Sequence, residues 1–328
     1  MKGLLPGGLA VAALCAAPSL AAGQVFDQGT IETRSFRNPD TAREAASHGH
    51  GIETEDIFGF TLGSDTEQKG ALLLELENVA GFGSRDQSYS SVNSKLQVTY
   101  GVTDWFSASL GILGGYYYIK DRPPGFSVTD TGATVPTDYL YPQVNNYRFA
   151  GIGGELRLNL LKRQDNVVGV TLHAEPSFRM ADEVSGERGN GYGSENKLII
   201  DRELVADRLF GAINVIYDFE SFKAYDSPST EKQSAFGLSG ALTYQWAPGF
   251  FFGGEIRWLR AYDGMGLNTY QGQGVFLGPS MFWHFLDNAY LSAAFSWQVT
   301  GSVRDQASTI NLVNFQRQQL KFKLVYEF

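Results

Sequence analysis

The chain ends in "LKFKLVYEF", residues 320–328, a stretch in which apolar and charged side chains alternate. Apolar residues stand at positions 320, 322, 324, 326 and 328, whereas Lys321, Lys323 and Glu327 stand between them. Strict alternation predicts a β-strand, because successive side chains of a strand point to opposite faces. One such strand fits a soluble protein and a membrane protein equally well. The fold class therefore depends on whether the rest of the chain repeats the pattern.

Twelve alternating segments follow one another along the chain. They lie at 69–80, 90–101, 104–118, 146–161, 167–180, 194–205, 207–220, 234–246, 249–262, 273–285, 288–300 and 316–328. A strand tilted at about 45° needs about nine to eleven residues to cross a bilayer, so these lengths suit membrane spanning. We therefore predict an all-β protein, a single antiparallel transmembrane β-barrel of about 12 strands over residues 56–328.

The connections between these segments alternate between short and long. The short ones lie at 102–104, 162–166, 206–207, 247–249 and 286–288, and the long ones at 81–89, 119–145, 181–193, 221–233, 263–272 and 301–315. Short periplasmic turns and longer extracellular loops are typical of outer-membrane barrels. A closed barrel also leaves no unpaired sheet edge in the hydrocarbon region. The long connection at 121–143 has the length to fold into the mouth as a lid or to contact an external ligand.

Aromatic residues favour the membrane interpretation. Trp105, Tyr244, Trp246 and Phe250 lie near short turns, and Tyr116, Tyr118, Trp258 and Tyr262 lie towards long loops. Two aromatic girdles are the arrangement that the two membrane interfaces select. Large apolar side chains are then expected to face lipid, with small and polar ones facing the lumen.

The N-terminal part of the chain predicts export. Lys2, an interrupted apolar stretch and the small residues "SLAAG" indicate a signal peptide at 1–22. Cys15, the only cysteine, lies within it, so the mature chain is expected to have no disulfide or thiolate site. Polar residues 23–55 predict a flexible periplasmic arm, and 56–65 predict either a short strand or a luminal plug segment. The expected location is the cell outer membrane.

The last strand also resembles the C-terminal signal of bacterial outer-membrane barrels. Leu324, Tyr326 and Phe328 occupy the fifth-last, third-last and last positions of the chain, where that signal carries apolar residues. The resemblance implies that these three residues are recognised by the barrel assembly machinery.

A further set of stretches resembles a family of Gram-negative outer-membrane barrels that is defined as a domain of unknown function. They are "AGIGGELRLNLL", "LHAEPSF", "ALTYQWAPGFFFGGEIRW", "VFLGPSMFWHF" and "QQLKFKLVYEF", spread over residues 146–328.

A looser resemblance covers one hairpin. "YGVTDWFSASLG" at 100–111 is similar to the strand–turn–strand unit of transporter-like barrels associated with aromatic-compound degradation. The first family implies a fold and a location without an established activity. The second implies passage of hydrophobic solutes and assigns no role to any residue.

Charged residues on the predicted inner face are the candidate site. Strand parity places inside the lumen Glu75, Glu77, Lys95, Glu155, Arg157, His173, Glu175, Arg179, Asp218, Glu255, Arg257, His284, Lys321 and Lys323. A turn centred near Gln164 would set Glu155 opposite His173, with Arg157 and Glu175 close by. One interpretation is a charged constriction that selects solutes, and the other is a bracing network of ion pairs.

The sequence gives little support for catalysis, for metal or cofactor binding, or for nucleic-acid binding. It contains no G-x-S-x-G, H-E-x-x-H or P-loop pattern, and we predict no catalytic residue, no metal, no cofactor and no enzymatic activity. His48 and His50 are interpreted as solvated residues of the arm. A serine hydrolase would need an outward-facing histidine beside a serine, whereas His173 and His284 are predicted to face inward. The formal net charge of −9 argues against nucleic-acid binding.

The sequence thus predicts passive passage of small solutes through an outer-membrane barrel, either as a narrow channel or as a transporter of hydrophobic compounds. The alternative is a non-conducting barrel that serves the envelope or binds through its loops, and an outer-membrane enzyme is a third hypothesis. Expected partners are the lipid bilayer, lipopolysaccharide and the barrel assembly machinery.

Overall fold

The computed structural model of the protein describes residues 52–85, 87–120 and 140–328. It contains the strands β1 (Leu72–Ser84), β2 (Gln87–Thr103), β3 (Phe106–Lys120), β4 (Val144–Leu161), β5 (Gly169–Ala181), β6 (Arg188–Val205), β7 (Leu209–Ala224), β8 (Glu231–Ala247), β9 (Phe250–Asp263), β10 (Thr269–Leu286), β11 (Ala289–Val303) and β12 (Gln318–Glu327). Within the described ranges, no helix has the length and apolar character needed to cross a membrane.

Each strand pairs antiparallel with its sequence neighbours, and β1 pairs with β12 to close the barrel. Leu76 lies opposite Leu324 across this closing pair and opposite Leu96 on β2. The predicted all-β antiparallel barrel of twelve strands is therefore confirmed. Closure gives every strand two partners, so no described strand presents an open edge.

Strand β12 shows which face of the alternation meets the lumen. Lys321 and Lys323 are 7% and 5% exposed, whereas Phe322 and Tyr326 are 38% and 42% exposed. The charged side chains thus point into the barrel and the apolar ones point out, the reverse of a soluble β-protein. Leu324 and Phe328, which belong with Tyr326 to the predicted assembly signal, also lie on the outer face.

The connections differ from the prediction on one side of the barrel. On the side of the predicted short turns, the strands are separated by 104–105, 206–208, 248–249 and 287–288, and by the longer connection 162–168. The predicted long loop at 81–89 is wrong, because β1 continues to Ser84 and β2 begins at Gln87. Backbone pairing there continues through polar residues, which periodicity cannot distinguish from loop residues.

The same strand extension shortens the other predicted long loops. The connections run over 182–187, 225–230, 264–268 and 304–317, each beginning later or ending earlier than the alternation suggested. Most of the predicted lid, residues 121–139, lies outside the described residues, as do the predicted signal peptide and arm up to residue 51.

Residues 52–65, hereafter the luminal segment, enter the barrel and lie against its inner wall without joining a strand. Of the two predictions for 56–65, the plug is therefore correct and the short strand is wrong. Residues 52–55, assigned by the sequence to the free arm, belong to the same segment. Two glycines permit the close fit. Gly59 adopts a φ of +102°, and a Cβ on the wall residue Gly169 would lie 1.8 Å from Ser64 Oγ.

Candidate functional site

The luminal segment closes the barrel at the end where the short turns lie. Ile57 and Phe58 pack in an apolar cluster with Phe210, Phe251 and Phe282. Phe210 and Phe251 are the second residues of β7 and β9, directly after the turns at 206–208 and 248–249. These two side chains of the segment therefore supply an apolar contact with the wall at this end of the lumen.

A set of polar contacts fixes both ends of the luminal segment to one part of the wall. Thr54 Oγ1 donates a 3.0 Å hydrogen bond to Asp65 Oδ2, which joins the two ends of the segment. Arg163 Nη2 lies 3.0 Å from the same carboxylate oxygen. Ser64 N donates to Asp201 Oδ2 at 3.1 Å. All five side chains are buried, so each contact is protected from bulk water.

Arg157 on β4 contacts several residues of the luminal segment at once. Its Nη2 donates to Gly63 O at 2.6 Å and to Asp65 O at 2.8 Å. Its Nε lies 3.6 Å from Glu55 and its Nη1 lies 3.7 Å from Glu155, and the side chain is 2% exposed. One guanidinium thus links two backbone carbonyls and one carboxylate of the segment to a carboxylate of the wall.

Lys323 on β12 likewise links the luminal segment to the barrel wall, on another side of the barrel. Its Nζ lies 2.8 Å from Asp56 of the luminal segment and 2.8 Å from Glu75 on β1. Tyr290 donates to Asp56 Oδ2 at 2.8 Å, and Ser292 Oγ donates to Asp56 O at 2.9 Å. The segment is therefore held by charge-assisted hydrogen bonds from strands on several sides of the lumen.

Glu55 is a carboxyl group of the luminal segment whose pKa is raised. Burial raises the pKa of Glu55 to about 8, although Arg157 and Lys323 both act to lower it. The pKa values of Glu53 in the segment and of Glu67 beyond it are also raised, by burial and by neighbouring carboxylates. At Glu55, desolvation disfavours the charged form more than the nearby cations favour it. Protonation of Glu55 therefore favours the docked segment.

A cavity of about 400 Å³ lies between the luminal segment and the loop end of the barrel. Eleven of the fourteen predicted luminal residues line it: Glu77, Lys95, Glu155, Arg157, His173, Glu175, Arg179, Asp218, Arg257, Lys321 and Lys323. Glu75 and Glu255 are buried on the wall, where Glu255 Oε2 accepts a 2.9 Å hydrogen bond from Thr61 N of the segment. His284 stands apart, because its side chain is exposed near the end of β10.

Four of these side chains meet around Glu155. His173 Nε2 lies 3.0 Å from Glu155 Oε1, and Lys95 Nζ lies 3.7 Å from Glu155 Oε2. Lys95 Nζ also lies 2.6 Å from Glu175, and Arg157, on β4 like Glu155, places its Nη1 3.7 Å from Glu155. The structure therefore brings this group together as predicted. The charged side chains pair with one another across β2, β4 and β5, which is the geometry of the bracing network.

The predicted register of this hairpin is wrong by one inward-facing position. A turn centred on Gln164 would pair Glu155 with His173, whereas Arg157 lies opposite His173. The turn at 162–168 is centred on Asp165 and not on Gln164, and the pairs from Gly153 to Asn159 are symmetric about the same residue. Moving the centre by one residue moves each partner by two, which leaves the inward face unchanged. Glu155 therefore reaches His173 diagonally.

Glu155, His173 and Glu175 also bring three potential metal-ligand atoms within 4.8 Å of one another. The ammonium of Lys95 lies 2.6 Å from Glu175 and supplies the positive charge that a cation would bring. We therefore assign no metal site there. The arm histidines His48 and His50 lie outside the described residues.

Sequence reasoning missed several residues that matter to this site. Arg163 was assigned to a periplasmic turn, yet it is buried against the luminal segment. Asp201 and Asp65 were not singled out because their role depends on a contact between distant parts of the chain. Lys197 and Glu195 form a 2.6 Å ion pair on the cavity wall, and strand parity would have placed both inside.

Loops narrow the opposite end of the cavity. The β5–β6 connection folds against β2, since Tyr89 and Asn93 donate to the backbone oxygens of Val184 and Glu183, both at 3.0 Å. In the β11–β12 connection, Asn311 is fully buried and its carbonyl accepts from Gln298 at 3.1 Å. The polar cavity is thus bounded by the luminal segment at one end and by two loops at the other.

Comparisons with solved structures agree with this architecture. The chain is similar to the COG4313 outer membrane channel from Pseudomonas putida F1, with 10% identity, a TM-score of 0.52 and coverage of 81% of this chain and 98% of that chain. It also matches the TodX monoaromatic hydrocarbon channel deltaS2 mutant, with 10% identity, a TM-score of 0.40 and coverage of 85% and 98%. The CymD monoaromatic hydrocarbon channel matches with 12% identity, a TM-score of 0.39 and coverage of 80% and 88%. At 10% identity the first of these similarities shows a shared fold alone, and no property of any of the three channels is transferred to this chain.

No curated protein matches the chain significantly. A family model does, over residues 50–328, and it is described as a family of unknown function, DUF6662. This match confirms the resemblance to an uncharacterised barrel family, and it begins just before the luminal segment. The chain therefore belongs to the DUF6662 family.

Proposed function

We propose that the protein is an outer-membrane channel for small hydrophilic solutes, with the luminal segment as its gate. The observation that carries the proposal is the cavity of about 400 Å³ lined by charged side chains and closed at one end by residues that are not part of the barrel wall. The exposed apolar outer face supports a location in a lipid bilayer.

The lining argues for polar rather than hydrophobic solutes. Lys95, Glu175, Arg179, Asp218 and Lys321 all face the cavity, and further charges line it on other strands. A hydrocarbon solute would have to displace water from these groups without replacing its hydrogen bonds, which is unfavourable. A small polar or charged solute can exchange its own hydration for contacts with the same wall.

The way in which the luminal segment is held supports its role as a gate. The barrel closes through the β1–β12 ladder, so its wall does not depend on the segment. The segment is instead held by side-chain contacts such as those of Arg157, Asp201 and Lys323. Water can replace such polar contacts when the segment leaves, whereas a ladder strand would leave an open edge behind.

The test is single-channel recording of refolded protein in planar bilayers, comparing the full chain with a variant that lacks residues 52–65. We expect rare or small current steps from the full chain and larger, sustained ohmic steps from the deletion variant. Thermal unfolding of both proteins checks that the deleted barrel still folds.

The competing proposal is a non-conducting structural barrel. It draws support from the contacts of Asn93 and Gln298 with loops at the other end, which narrow the lumen independently of the luminal segment. Silence from a well-folded deletion variant would favour this structural role and refute the gated channel.

A further inference from the structure

Arg260 lies on the outer, lipid-facing surface of the barrel. On β9, Phe252 and Ile256 point outward with exposed fractions of 55% and 52%, and Arg260 has the same parity. Arg260 pairs with Phe236 on β8 and with Gln273 on β10, and the register of both pairs is regular at this point. Its side chain therefore leaves the barrel on the side away from the lumen.

Three aromatic rings surround the Arg260 guanidinium. Its Cζ lies 4.5 Å from the ring centroid of Tyr270, 5.5 Å from that of Tyr262 and 5.8 Å from that of Trp258. The indole N–H of Trp258 donates to Gln273 at 3.2 Å, which fixes one wall of this cage. The rings hold the planar group in place and leave its hydrogen-bond donors for another partner.

Arg260 lacks a protein counter-ion within the described part of the chain. None of the ion pairs between described residues includes Arg260, and its Nε is buried without a hydrogen-bond partner. An arginine on the lipid face is unfavourable at the bilayer midplane and close to neutral near the interface. An unpaired, partly desolvated guanidinium therefore calls for an anion at the level of the lipid headgroups.

The position of Arg260 along β9 matches that level. The outward residues from Phe250 to Trp258 are apolar, and Arg260 follows them towards the loop end of the strand. At about 3.3 Å per residue and a tilt of about 45°, ten residues from Phe250 rise about 23 Å along the barrel axis. The apolar band of an outer-membrane barrel is about 25 Å tall, so Arg260 lies at its loop-side edge.

We infer that Arg260 and its aromatic cage bind the phosphate group of a lipid headgroup in the outer leaflet. Arginine suits this ligand because its planar fork donates two parallel hydrogen bonds to a phosphate. Tyrosine and tryptophan suit the position because their rings lie at the headgroup level. The inference depends on the proposed outer-membrane location and is independent of whether the barrel conducts.

The test measures binding of bisphosphorylated lipid A to the purified full chain in detergent, with dephosphorylated lipid A and inorganic phosphate as comparison ligands. For the wild-type chain we expect bisphosphorylated lipid A to bind at least about tenfold more tightly than the dephosphorylated form. Arg260→Gln should remove that preference. Arg202→Gln is the matched control, because Arg202 is an exposed arginine of the outer face near the opposite end of the barrel.

Three outcomes would overturn the inference. Equal affinity of the wild-type chain for the phosphorylated and dephosphorylated lipids would exclude a phosphate site, and this comparison needs no variant. A phosphate preference that survives in Arg260→Gln would place the site elsewhere. Competition by inorganic phosphate at the same concentration as lipid A would indicate a site for the free ion. Current recordings on Arg260→Gln should match the wild type, which separates this test from that of the channel.

Discussion

Replacing Arg157 with methionine tests whether the luminal segment is held by the wall contacts described above. Arg157→Met keeps an unbranched side chain of similar length and removes the charge and all hydrogen-bond donors. Gly63 O and Asp65 O lose the donors at 2.6 and 2.8 Å, and Glu55 loses its neighbouring cation. The barrel ladder is unaffected, so the loss should fall on docking of the segment rather than on barrel closure.

The magnitude follows from these contacts. A hydrogen bond that involves a charged group contributes about 1.5–3 kcal/mol, and Arg157 donates two of them to the segment. Glu55, whose raised pKa leaves it largely protonated at neutral pH, adds no full ion-pair contribution. The two hydrogen bonds are not fully additive, so we expect docking to weaken by about 3–5 kcal/mol. Since each 1.4 kcal/mol is a factor of ten, the undocked population should rise about 100-fold to 4,000-fold.

Amide hydrogen exchange of the luminal segment measures this population directly. The N–H groups of Thr61 and Leu62 donate to wall side chains and exchange only when the segment leaves them. Lys197→Met is the control, because Lys197 lines the same cavity and pairs with Glu195 rather than with the segment. If Thr61 and Leu62 exchange at the same rate in Arg157→Met, in the control and in the wild type, then Arg157 does not hold the segment.

Three further predictions concern charge and assembly. Because burial raises the pKa of Glu55 to about 8 from an ordinary 4.5, the docked segment binds the proton more tightly than the released one. Docking should be strongest below about pH 4.5 and weaken as pH rises through about 8. The open probability of the channel should therefore rise over the same pH range, and Glu55→Gln should flatten this pH dependence. The double change Glu155→Gln with Glu175→Gln leaves Lys95 without either carboxylate, so we expect a loss of about 3–5 kcal/mol and a lower unfolding temperature. A shifted reversal potential at unchanged unfolding temperature would instead identify a selectivity site. Phe328 is 74% exposed, so Phe328→Asp should cost only about 0–1 kcal/mol in the folded barrel. Its outer-membrane yield should nevertheless fall, and normal yield would show that the residue is not part of an assembly signal.

The sequence by itself determined the barrel and the orientation of its wall. Alternation in segments such as 320–328 fixes which side chains share a face, because the side-chain period of a strand is two residues. The number of strands and their order also follow, since short connections join antiparallel neighbours. The sequence also predicted that the polar face points inward. The apolar face of a membrane-spanning strand must face lipid, which leaves the polar face for the lumen.

The ends of the strands were less predictable. Periodicity identifies a strand where lipid and lumen impose different side chains on its two faces. Beyond the bilayer both faces meet water, so pairing at Ser84 and Gln87 continues without a sequence pattern. The length of the β1–β2 loop was overestimated for this reason. The register of the hairpin near Gln164 was misplaced because the turn is centred one residue later, on Asp165, and its polar sequence does not mark its centre.

Only the tertiary structure decided what fills the lumen. Parity placed Arg157 and Lys323 inside, but it does not say what they meet there. Arg157 contacts Gly63, which lies 94 residues away along the chain, and Tyr290 contacts Asp56, which lies 234 residues away. Lys323 contacts Asp56 over a still longer separation. Contacts of this kind depend on three-dimensional closure of the barrel, since only a closed wall brings β4, β11 and β12 around one short segment. Local sequence fixes the direction of each side chain, whereas its partner is fixed by the packing of the whole fold.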